Sequence, residues 1–419
     1  MTAGLVVPAV TPSATLLDPE AARAAILGPI VALDAVDVPI AAAIGGVLAA
    51  PAHAVVDLPP FDRSSMDGFA VRAGETLRPL RIIGEVAAGD VAPDAVTSGT
   101  AMAISTGAPM PPGADAVLQS ELGQVVGDDV LLPEQPVAPG RFVRFRGEDL
   151  RAGDVLAQAG AVLTVQRAMA LASAGVGRVH VHRGPTVHLL TTGDELQAPG
   201  TAPRPGAVFE SSAVALGHLA ERAGATVTYG GIVGDDAQAV RQAVQAGLDA
   251  DVLLVSGGMS VGPHDHVKPA FAACGVQEVF WRVAVKPGKP VWFGRHGRTL
   301  VFGLPGNPLS GLVGFLLFVE PALARLQGDL TEAPGRRRGR LAAPAAAAED
   351  GRMTLLTARF ERDPGGELVA TPTARQGSHM TGALGESDGF VIVPPDAGAL
   401  EVGDAVDLLV LDEAGGRLR

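Results

Sequence analysis

Lysine is confined to one short part of this 419-residue chain. Only three of its 32 cationic residues are lysine, at positions 268, 286 and 289, and all the other cations are arginine. A lysine ammonium is a compact point charge on a flexible stem, whereas arginine presents a rigid planar fork. Such point charges suit a tetrahedral oxyanion such as phosphate. Lys268, Lys286 and Lys289 therefore mark a candidate anion site, with chance clustering in an arginine-biased composition as the alternative.

Four loops that follow hydrophobic segments carry further candidate chemistry. They are TTGDEL with Glu195, VSGGMSVGPHDHVK with Gly257, Gly258, Ser260, Asp265 and Lys268, KPGKP with its two lysines, and GLPGNP with Pro305, Gly306, Asn307 and Pro308. Glycines let backbone N–H groups approach an anion, and a helix N-terminus adds partial positive charge. Carboxylates beside an anion repel it unless a hard cation such as Mg²⁺ lies between them. Together the loops predict a metal-assisted anion site, although each one alone is also a common turn.

Three segments in the first third of the chain hold additional polar candidates. PPFDRSSMDGFAVRA places Asp62 and Asp67 among apolar side chains, and ISTGAPMPPGAD ends a strand at Thr106. The alternative for the first segment is a packed surface loop, and the alternative for the second is an ordinary turn. RFRGEDL places Arg146, Glu148 and Asp149 at a predicted domain junction, where we expect a salt bridge.

Other candidates favour structural interpretations. His264 and His266 flank Asp265, but no second set of ligands has a recognisable metal spacing, so we interpret them as loop histidines. Cys274 lies in a helical pattern and is predicted to be a small core residue. The run from Arg336 to Arg340 is predicted to be a solvated linker. The sequence contains no serine nucleophile elbow and no P-loop.

The elements that must position these residues change in type along the chain. The first fifty residues look helical, over 17–27 and 40–48, and short β-like pieces separated by Gly and Pro follow. Another helix is predicted over 164–174. We predict a multidomain α/β protein with a doubly wound α/β domain, a discontinuous helical domain and two mostly-β domains. The predicted boundaries are 12–50 with 148–183 for the helical domain, 51–147 for the first β domain, 184–330 for the α/β domain and 331–419 for the C-terminal β domain.

The α/β segment alternates strands and helices. TVHLLTTGDEL, ATVTYGGIVGD and ADVLLVSGG read as buried strands, and helical patterns lie between or after them, the last over 310–326. Ligands in such sheets bind at the carboxyl ends of the strands. The four loops named above follow predicted strands, so we expect the chemistry to lie at this edge.

Composition excludes several classes of function. A net charge of −13 and an aromatic content of 4% argue against nucleic-acid binding. The most apolar run, 309–319, is too short to span a membrane. No basic residue precedes Arg23, so a secretory n-region is not expected, and a single cysteine excludes an intrachain disulfide. We therefore expect a cytoplasmic protein without a membrane partner.

Eight motifs together indicate a family. In chain order they are FDRSSMDGFA, STGAPMPPGADAV, RGEDLRAGDVL, TTGDEL, VSGGMSVG, KPGKP, GLPGNP and RQGSHM. They resemble the MoeA family, the molybdopterin molybdenumtransferases that include the gephyrin E domain, over essentially the whole chain. The resemblance implies four domains, including an α/β domain shared with the pterin adenylyltransferases.

The resemblance also implies an activity. Members of the MoeA family that resemble this chain insert molybdate into the dithiolene of adenylylated molybdopterin, with Mg²⁺, and release AMP. It implies a homodimer whose active site lies between the α/β domain of one subunit and the β domain of the other, and docking by the pterin adenylyltransferase and by molybdoenzymes. Two alternatives stay open, a molybdopterin adenylyltransferase that uses ATP and a tungstate-specialised transferase or scaffold.

Residues of this chain match the family motifs one by one. The resemblance implies catalytic roles for Asp67, Thr106, Asp149, Glu195, Asp265, Lys286 and Lys289. It implies substrate binding by Gly257, Gly258, Ser260, Lys268, Pro305, Gly306, Asn307, Pro308, Arg375 and Ser378. For the metal it implies Asp265 and one aspartate of the GDD helix start, Asp235 or Asp236, of which we choose Asp236.

The chain departs from the family pattern at three places. Phe69 replaces the usual tyrosine of MDGYA, and Met259 replaces a valine in the glycine loop. The segment GPHDHVK replaces the commoner GEADYTK, which keeps the aspartate and the lysine but loses a glutamate and a tyrosine. These differences affect ligand detail rather than the class of enzyme.

Overall fold

The computed structural model describes residues 16–131, 136–259, 265–330 and 336–411. These form two compact units, a small unit of Val36–Val181 and a large unit of the residues up to Ala35 and from His182 onward. The division into four domains stays a prediction.

Helix α1 (Pro19–Leu27) of the large unit begins where the sequence indicates. Asp18 caps it, since its Oδ1 accepts hydrogen bonds from the backbone N–H groups of Glu20 and Ala21, both at 3.0 Å. Ala22 and Ile26, four residues apart on one face, are buried in the core of the large unit.

The small unit is built mainly from short strands. Its elements are β1 (Ala35–Pro39), β2 (Ala52–His53), β3 (Arg63–Ser64), β4 (Gly68–Val71), β5 (Leu80–Val86), β6 (Thr100–Ile104), β7 (Ala116–Gln119), β8 (Gln124–Val126), β9 (Asp129–Leu131), β10 (Val143–Arg144), β11 (Val155–Ala157), helix α2 (Val165–Ser173) and β12 (Arg178–His182). Six strands form one sheet in the order β7-β4-β6-β5-β9-β8, and β1-β12, β2-β11 and β3-β10 form pairs. Three-residue 3₁₀ turns lie at Ile40–Ala42, Ala73–Glu75 and Ser120–Leu122. The predicted helix over 164–174 is confirmed as α2, which Thr164 caps.

The predicted helix over 40–48 is wrong. Only the 3₁₀ turn at its start forms, and Gly45 has φ +89°, a conformation that an α-helix cannot contain. The backbone N–H groups of Gly45 and Leu48 donate to Leu163 and Ala161, so distant chain segments satisfy this backbone instead of a local helix.

The α/β part of the large unit is a doubly wound sheet, as predicted. Its elements are β13 (Thr186–Thr192), β14 (Leu196–Gln197), β15 (Val208–Phe209), α3 (Ser212–Arg222), β16 (Thr226–Val233), α4 (Ala237–Gly247), β17 (Val252–Ser256), α5 (Val267–Ala273), β18 (Gln277–Trp281), β19 (Val285–Lys286), β20 (Trp292–His296), β21 (Thr299–Leu304), α6 (Pro308–Gly314) and α7 (Glu320–Leu326). The strand order is β16-β13-β17-β21-β20-β18. The first four strands are parallel, β20 is antiparallel to β21, and β18 is antiparallel to β20.

Alternate residues of the central strands pack on opposite faces of this sheet. Leu254 of β17 lies in the cluster that contains α3, α6 and α7, whereas its neighbours Leu253 and Val255 lie in the cluster with α4 and α5. Cys274, just after α5, is buried in the second cluster, as predicted. A π-helical segment, Phe315–Val319, joins α6 to α7, so the helical run Pro308–Leu326 has 19 residues. It is longer than the apolar run 309–319 and, by length and composition alone, long enough to cross a membrane, but 83% of its apolar 18-residue window is buried inside the protein. Burial of that extent is typical of a core helix.

The C-terminal part closes into a small barrel. It contains β22 (Arg336–Leu341), β23 (Ala345–Ala346), β24 (Met353–Arg362), β25 (Leu368–Pro372), a short helix α8 (Thr381–Leu384), β26 (Gly389–Val393), β27 (Ala399–Leu400) and β28 (Ala405–Val410). The order β24-β25-β22-β28-β26 closes through pairing of β26 with β24, and β19 adds to the outer side of β24.

The arginine run is therefore part of the barrel, and its prediction as a linker is wrong. Arg336, Arg337, Arg338 and Arg340 lie in β22 with the buried Gly339, and two of these arginines pair with acids on or directly beside neighbouring strands. Arg338 Nε lies 3.1 Å from Asp407 and Arg340 Nε lies 2.8 Å from Glu367. The ion pairs across strands make a charged segment compatible with a sheet.

Asp251, directly before β17, is linked to the segment that leads into β13. Arg183 donates to it through Nη1 and Nη2 at 2.6 and 2.8 Å, and the backbone and hydroxyl of Thr186 donate at 2.8 and 2.9 Å. Burial opposes the charged carboxylate, but these hydrogen bonds outweigh it and lower the pKa of Asp251 below its ordinary value of 3.8.

We expect Asp251→Asn to lower the free energy of unfolding by about 2 kcal/mol at neutral pH, because a charged hydrogen-bond network loses its acceptor. A carboxylate with a lowered pKa stabilises the fold above its unfolded pKa and loses that effect as the pH falls through the folded pKa. The difference between wild type and variant, measured as urea midpoints, should shrink as the pH falls below 3.8. A difference that is constant down to strongly acidic pH would contradict this.

Candidate active site

The loops at the carboxyl ends of the parallel strands meet closely in the large unit. Gly257 and Gly258 follow β17 with φ of +108° and +63°. A Cβ on Gly257 would lie 2.4 Å from the carbonyl oxygen of Thr192 at the end of β13, and a Cβ on Gly306 would lie 3.4 Å from Gly257 Cα. The Gly257 N–H donates to Leu304 O at 3.0 Å. Glycine is needed here because neighbouring backbones leave no room for a side chain.

A cavity of about 530 Å³ opens where these loops meet. It is lined by Thr191, Thr192, Glu195, Leu196, Val208, Phe209, Glu210, Ser211, Ser212, Ser256, Gly306, Asn307, Pro308, His379 and Thr381. Six of these residues carry hydroxyl groups, and one amide, one imidazole and two carboxylates accompany them. Such a lining can exchange many hydrogen bonds with a neutral polar ring system.

Thr192 supplies an unusual group to this cavity. Its residue is 6% exposed, and its Oγ1 is buried without a hydrogen-bond partner among the described residues. A buried hydroxyl without a partner is costly in free energy, so a ligand atom is the natural acceptor or donor for it. The hydroxyl and imidazole groups of the cavity were missed by the sequence analysis; their signal lies in the Thr-Thr and Ser-Ser pairs next to strand ends and in His379 of the RQGSHM motif.

The GLPGNP loop connects the α/β part to the barrel. Pro308 is the first residue of α6, and Asn307 Nδ2 donates to Ser378 Oγ at 3.1 Å. Three of the predicted binding residues, Gly306, Asn307 and Pro308, line the cavity, and Ser378 contacts it through Asn307. Arg375 is half-exposed and lies 3.6 Å from Glu386 Oε1.

The two KPGKP lysines do not line the cavity. Lys286 and Lys289 are exposed and lie on either side of Gly288 in the sequence. Gly288 itself packs against α6, since a Cβ on it would lie 3.5 Å from Ser310 O and close to Val313. Lys286 belongs to β19 and is in register with Thr354 of the barrel. The structure thus places two ammonium groups on the outside of the helix that begins at the cavity.

The carboxylate of Asp350, in the barrel, interacts electrostatically with Lys286 of this loop. The hydrogen bond from the Arg352 guanidinium is the main reason that the pKa of Asp350 lies below its ordinary value, and the positive charge of Lys286 adds to it. The carboxylate therefore balances part of the local positive charge at neutral pH.

Lys268, in the first turn of α5, lies against an aromatic ring. Its Nζ is 3.3 Å from the centroid of Trp281. Burial lowers the pKa of Lys268 from its ordinary value, and the charge of Asp265 opposes that shift. Asp265 is half-buried, whereas Ser260, and His264 of the HDH string, lie outside the described residues.

One of the two predicted metal ligands, Asp236, also caps a helix. Asp236 caps α4, since its Oδ1 accepts from Ala239 N at 2.8 Å. Asp194 and Asp235 bind one another's backbone, with Asp235 N donating to Asp194 Oδ1 at 3.0 Å. Within the described ranges, no group of three His, Cys, Asp or Glu side chains is arranged to hold a metal ion. The residues fit a divalent cation only if the substrate supplies most of its ligands, which is common for Mg²⁺.

The small unit brings two predicted site residues together. The carboxylate of Asp67 accepts a hydrogen bond from the backbone N–H of Thr106 at 2.7 Å, across 39 positions of sequence. Asp149 is exposed. Arg146, three residues before it, forms its salt bridge with Asp57 and not with an acid of its own segment. The pKa of Asp57 is lowered by the Ala152 N–H and by Arg146.

Comparison with known proteins covers all parts of the chain. Residues 17–175 match the MoeA N-terminal region, 188–325 match a probable molybdopterin binding domain, and 338–411 match the MoeA C-terminal region. The molybdopterin molybdenumtransferase of Haemophilus influenzae is 32% identical, over 84% of this chain and 88% of that protein. The Bacillus subtilis protein of the same name is 33% identical, over 86% of each chain.

Solved structures agree with these relatives. A crystal structure of a molybdopterin biosynthesis MoeA protein from Pyrococcus horikoshii has a TM-score of 0.81 and 30% sequence identity, over 94% of this chain and 99% of that one. The predicted combination of an α/β domain with helical and β domains is confirmed by this match. The chain therefore belongs to the MoeA family, and it is a transferase of molybdenum cofactor biosynthesis.

Proposed function

We propose that this transferase inserts molybdate into the dithiolene of adenylylated molybdopterin, with Mg²⁺, and releases AMP. The observation that carries the proposal is the hydroxyl-lined cavity of about 530 Å³ at the strand ends, beside a loop with two exposed lysines. Both parts belong to the large unit and both are built by the loops in which the chemistry was predicted.

The cavity suits the pterin part of the substrate. A pterin ring carries several donors and acceptors and no full charge, and it matches the hydroxyl, amide and imidazole groups better than a bare oxyanion does. Thr192 Oγ1, buried without a described partner, is a ready contact. The Gly257–Gly258 turn, which only glycine can form, keeps this wall of the cavity close to β13.

Lys286 and Lys289 suit the anionic parts of the reaction. Molybdate and the substrate phosphates are anions, and the protein has a net charge of −13, so their binding needs a local positive potential. Arg375 of the barrel segment is a further candidate contact for these anions, as the family resemblance implies. These residues would orient the oxyanion while the new metal–sulfur bonds form on the dithiolene of the substrate itself.

Mg²⁺ would be shared between protein and substrate. Asp265, with Asp236 or its neighbour, would hold it together with phosphate oxygens, since one or two carboxylates suffice for such a site. When bound, the ion stabilises negative charge on the AMP leaving group. The role of the protein's own residues is to position the phosphoanhydride and to balance its charge.

We further propose a cytoplasmic homodimer in which Asp67, Thr106 and Asp149 of one subunit act with the large unit of the other. The family resemblance supports it, and so do Val165 and Met169, which are 65% and 73% exposed one turn apart on α2 of the small unit. Exposed apolar residues on one helix face are typical of an interface. Docking by the adenylyltransferase and by molybdoenzymes stays a prediction.

An assay with purified protein tests the proposal. Adenylylated molybdopterin, molybdate and Mg²⁺ should yield AMP and a product that activates a cofactor-free molybdoenzyme, and omission of molybdate or addition of a chelator should prevent activation. Adenylylation of molybdopterin with ATP, without AMP release in this assay, would favour the adenylyltransferase alternative. Replacement of molybdate by tungstate measures the preference between the two metals.

A further inference from the structure

Trp281, the last residue of β18, has polar and cationic contacts on several sides. Its ring centroid is 3.3 Å from Lys268 Nζ and 4.0 Å from Arg282 Cζ. Its indole Nε1–H donates to the carbonyl oxygen of Met259 at 3.4 Å. The side chain is half-buried, so these contacts use a ring whose position is restricted.

These contacts link two ends of one functional segment. Met259 directly follows the Gly257–Gly258 turn, and Lys268 lies in the first turn of α5. Trp281 therefore touches both the loop that leaves β17 and the helix that this loop enters. A lysine side chain has a flexible four-carbon stem, and an aromatic face under the ammonium restricts its orientations.

The sheet holds Trp281 in place. Trp281 is in register with Trp292 of β20, and Trp292 is buried, donates to Glu278 Oε2 at 2.6 Å and packs on Phe271 with ring centroids 4.5 Å apart. Phe271 belongs to α5, the helix that carries Lys268. The helix and the indole are thus fixed to the same two strands, which makes the distance between Lys268 and Trp281 a property of the fold.

Arg282 is fixed beside the same ring by its backbone. It has φ +74°, rare for a residue with a side chain, and its N–H donates to Val291 O while its carbonyl accepts from Leu17 N. A positive φ is maintained only where surrounding contacts hold it, and such sites are often functional. Two cations within 4.0 Å of one ring centroid repel one another, and the carboxylates of Asp265 and Glu278 offset part of that repulsion at Lys268. An oxyanion bound beside both cations would offset more of it.

We propose that Trp281 is a positioning residue that holds the Lys268 ammonium, with Arg282 beside it, for a tetrahedral oxyanion of the substrates. This inference rests on the proposed function for the identity of the substrates. The oxyanion is either the phosphate of the nucleotide or molybdate, which are both tetrahedral and negatively charged, and the experiment below separates them.

The small number of lysines makes a direct test possible. Protein labelled with ¹³Cε-lysine has only three side-chain signals, and Lys268→Arg, Lys286→Arg and Lys289→Arg assign them. In the unliganded wild type, the Lys268 signal should be displaced upfield by the indole ring, while the other two should resemble exposed lysine. Trp281→Leu should abolish the displacement, and Trp281→Phe, which keeps an aromatic face but loses the N–H, should retain most of it.

Titration with AMP and, separately, with molybdate identifies the oxyanion. One of the two anions should shift the Lys268 signal at a lower concentration than the other does. Trp281→Leu should raise the concentration of that anion needed for the shift at least 10-fold. In steady-state assays, Trp281→Leu should raise KM for that substrate more than it lowers kcat, and Trp281→Phe should recover much of the loss. Thermal unfolding temperatures of both variants equal to that of the wild type would exclude a general folding defect.

Three results would overturn the proposal. They are an undisplaced Lys268 signal in the wild type, a Lys268 signal that neither anion moves, and a Trp281→Leu variant with unchanged affinity for both anions. Failure of the proposed function is distinguishable from these, because a wild type that releases no AMP and forms no cofactor could still show the displaced Lys268 signal and its response to an anion.

Discussion

Gly257→Ala should abolish most of the activity and destabilise the large unit. The new methyl group would lie 2.4 Å from the carbonyl oxygen of Thr192 and 2.7 Å from its Oγ1, at a φ of +108° that is strained for alanine. Backbone at the end of a central strand cannot move aside, so the turn must shift. We expect a loss of about 3 kcal/mol in unfolding free energy and a loss of at least about 100-fold in kcat/KM, since a displacement near 1 Å is enough for that.

Gly206→Ala is the matched control for this change. Gly206 also has a positive φ, +78°, but a Cβ there would meet nothing within 4 Å. It shares the backbone strain without the steric clash, so we expect a loss of about 1 kcal/mol and nearly normal activity. Thermal unfolding and kcat/KM of both variants measure the difference. Similar losses in the two variants would mean that the close approach of the glycine turn to β13 is not what the site requires.

Lys286→Met should reduce kcat/KM for molybdate by about 10²- to 10³-fold, the effect of removing one preorganised charge from a developing anionic site. Lys286 is exposed and belongs to a two-residue strand on the outer side of the barrel, so the fold itself should change little. Lys286→Arg keeps the charge but replaces a point charge by a planar fork, and we expect it to remain clearly impaired.

Arg298→Met is the control for net charge. Arg298 is an exposed cation in the turn between β20 and β21, at the opposite end of β20 from the KPGKP loop. Its loss changes the overall charge as Lys286→Met does, and its effect on the molybdate dependence should be small. Wild-type activity of Lys286→Arg, or equal effects of Lys286→Met and Arg298→Met, would contradict a specific role for this ammonium group.

The convergence of the strand-end loops could be predicted from the sequence because it follows from topology. Parallel strands joined by helices bring their carboxyl ends to one edge, so the loops after β13, β17 and β21 had to be neighbours. The glycines at 257 and 258 were predicted to let backbone N–H groups approach an anion, which stays a prediction. In the structure Gly257 lies against the backbone of Thr192, a contact that was not predicted.

Local patterns failed where the decisive partners lie far away in the sequence. The segment 40–48 has helix-forming residues, yet its backbone pairs with residues 161 and 163. The arginine run 336–340 has the composition of a linker, yet acids on β28 and at the start of β25 balance its charge within a barrel. Neither partner is visible within the length of sequence that a local pattern covers.

The sequence by itself determined the family and the α/β core, and it indicated the strand-end loops in which we propose the chemistry, because glycine, lysine and carboxylate have restricted uses at strand ends. Only the tertiary structure decided which of those groups meet. It separated Lys286 and Lys289 from the hydroxyl-lined cavity, left Thr192 Oγ1 buried without a described partner, and placed Lys268 on Trp281. The physical reason is that a motif defines the chemistry of a side chain, whereas its neighbours depend on how the helices and sheets of the whole chain pack.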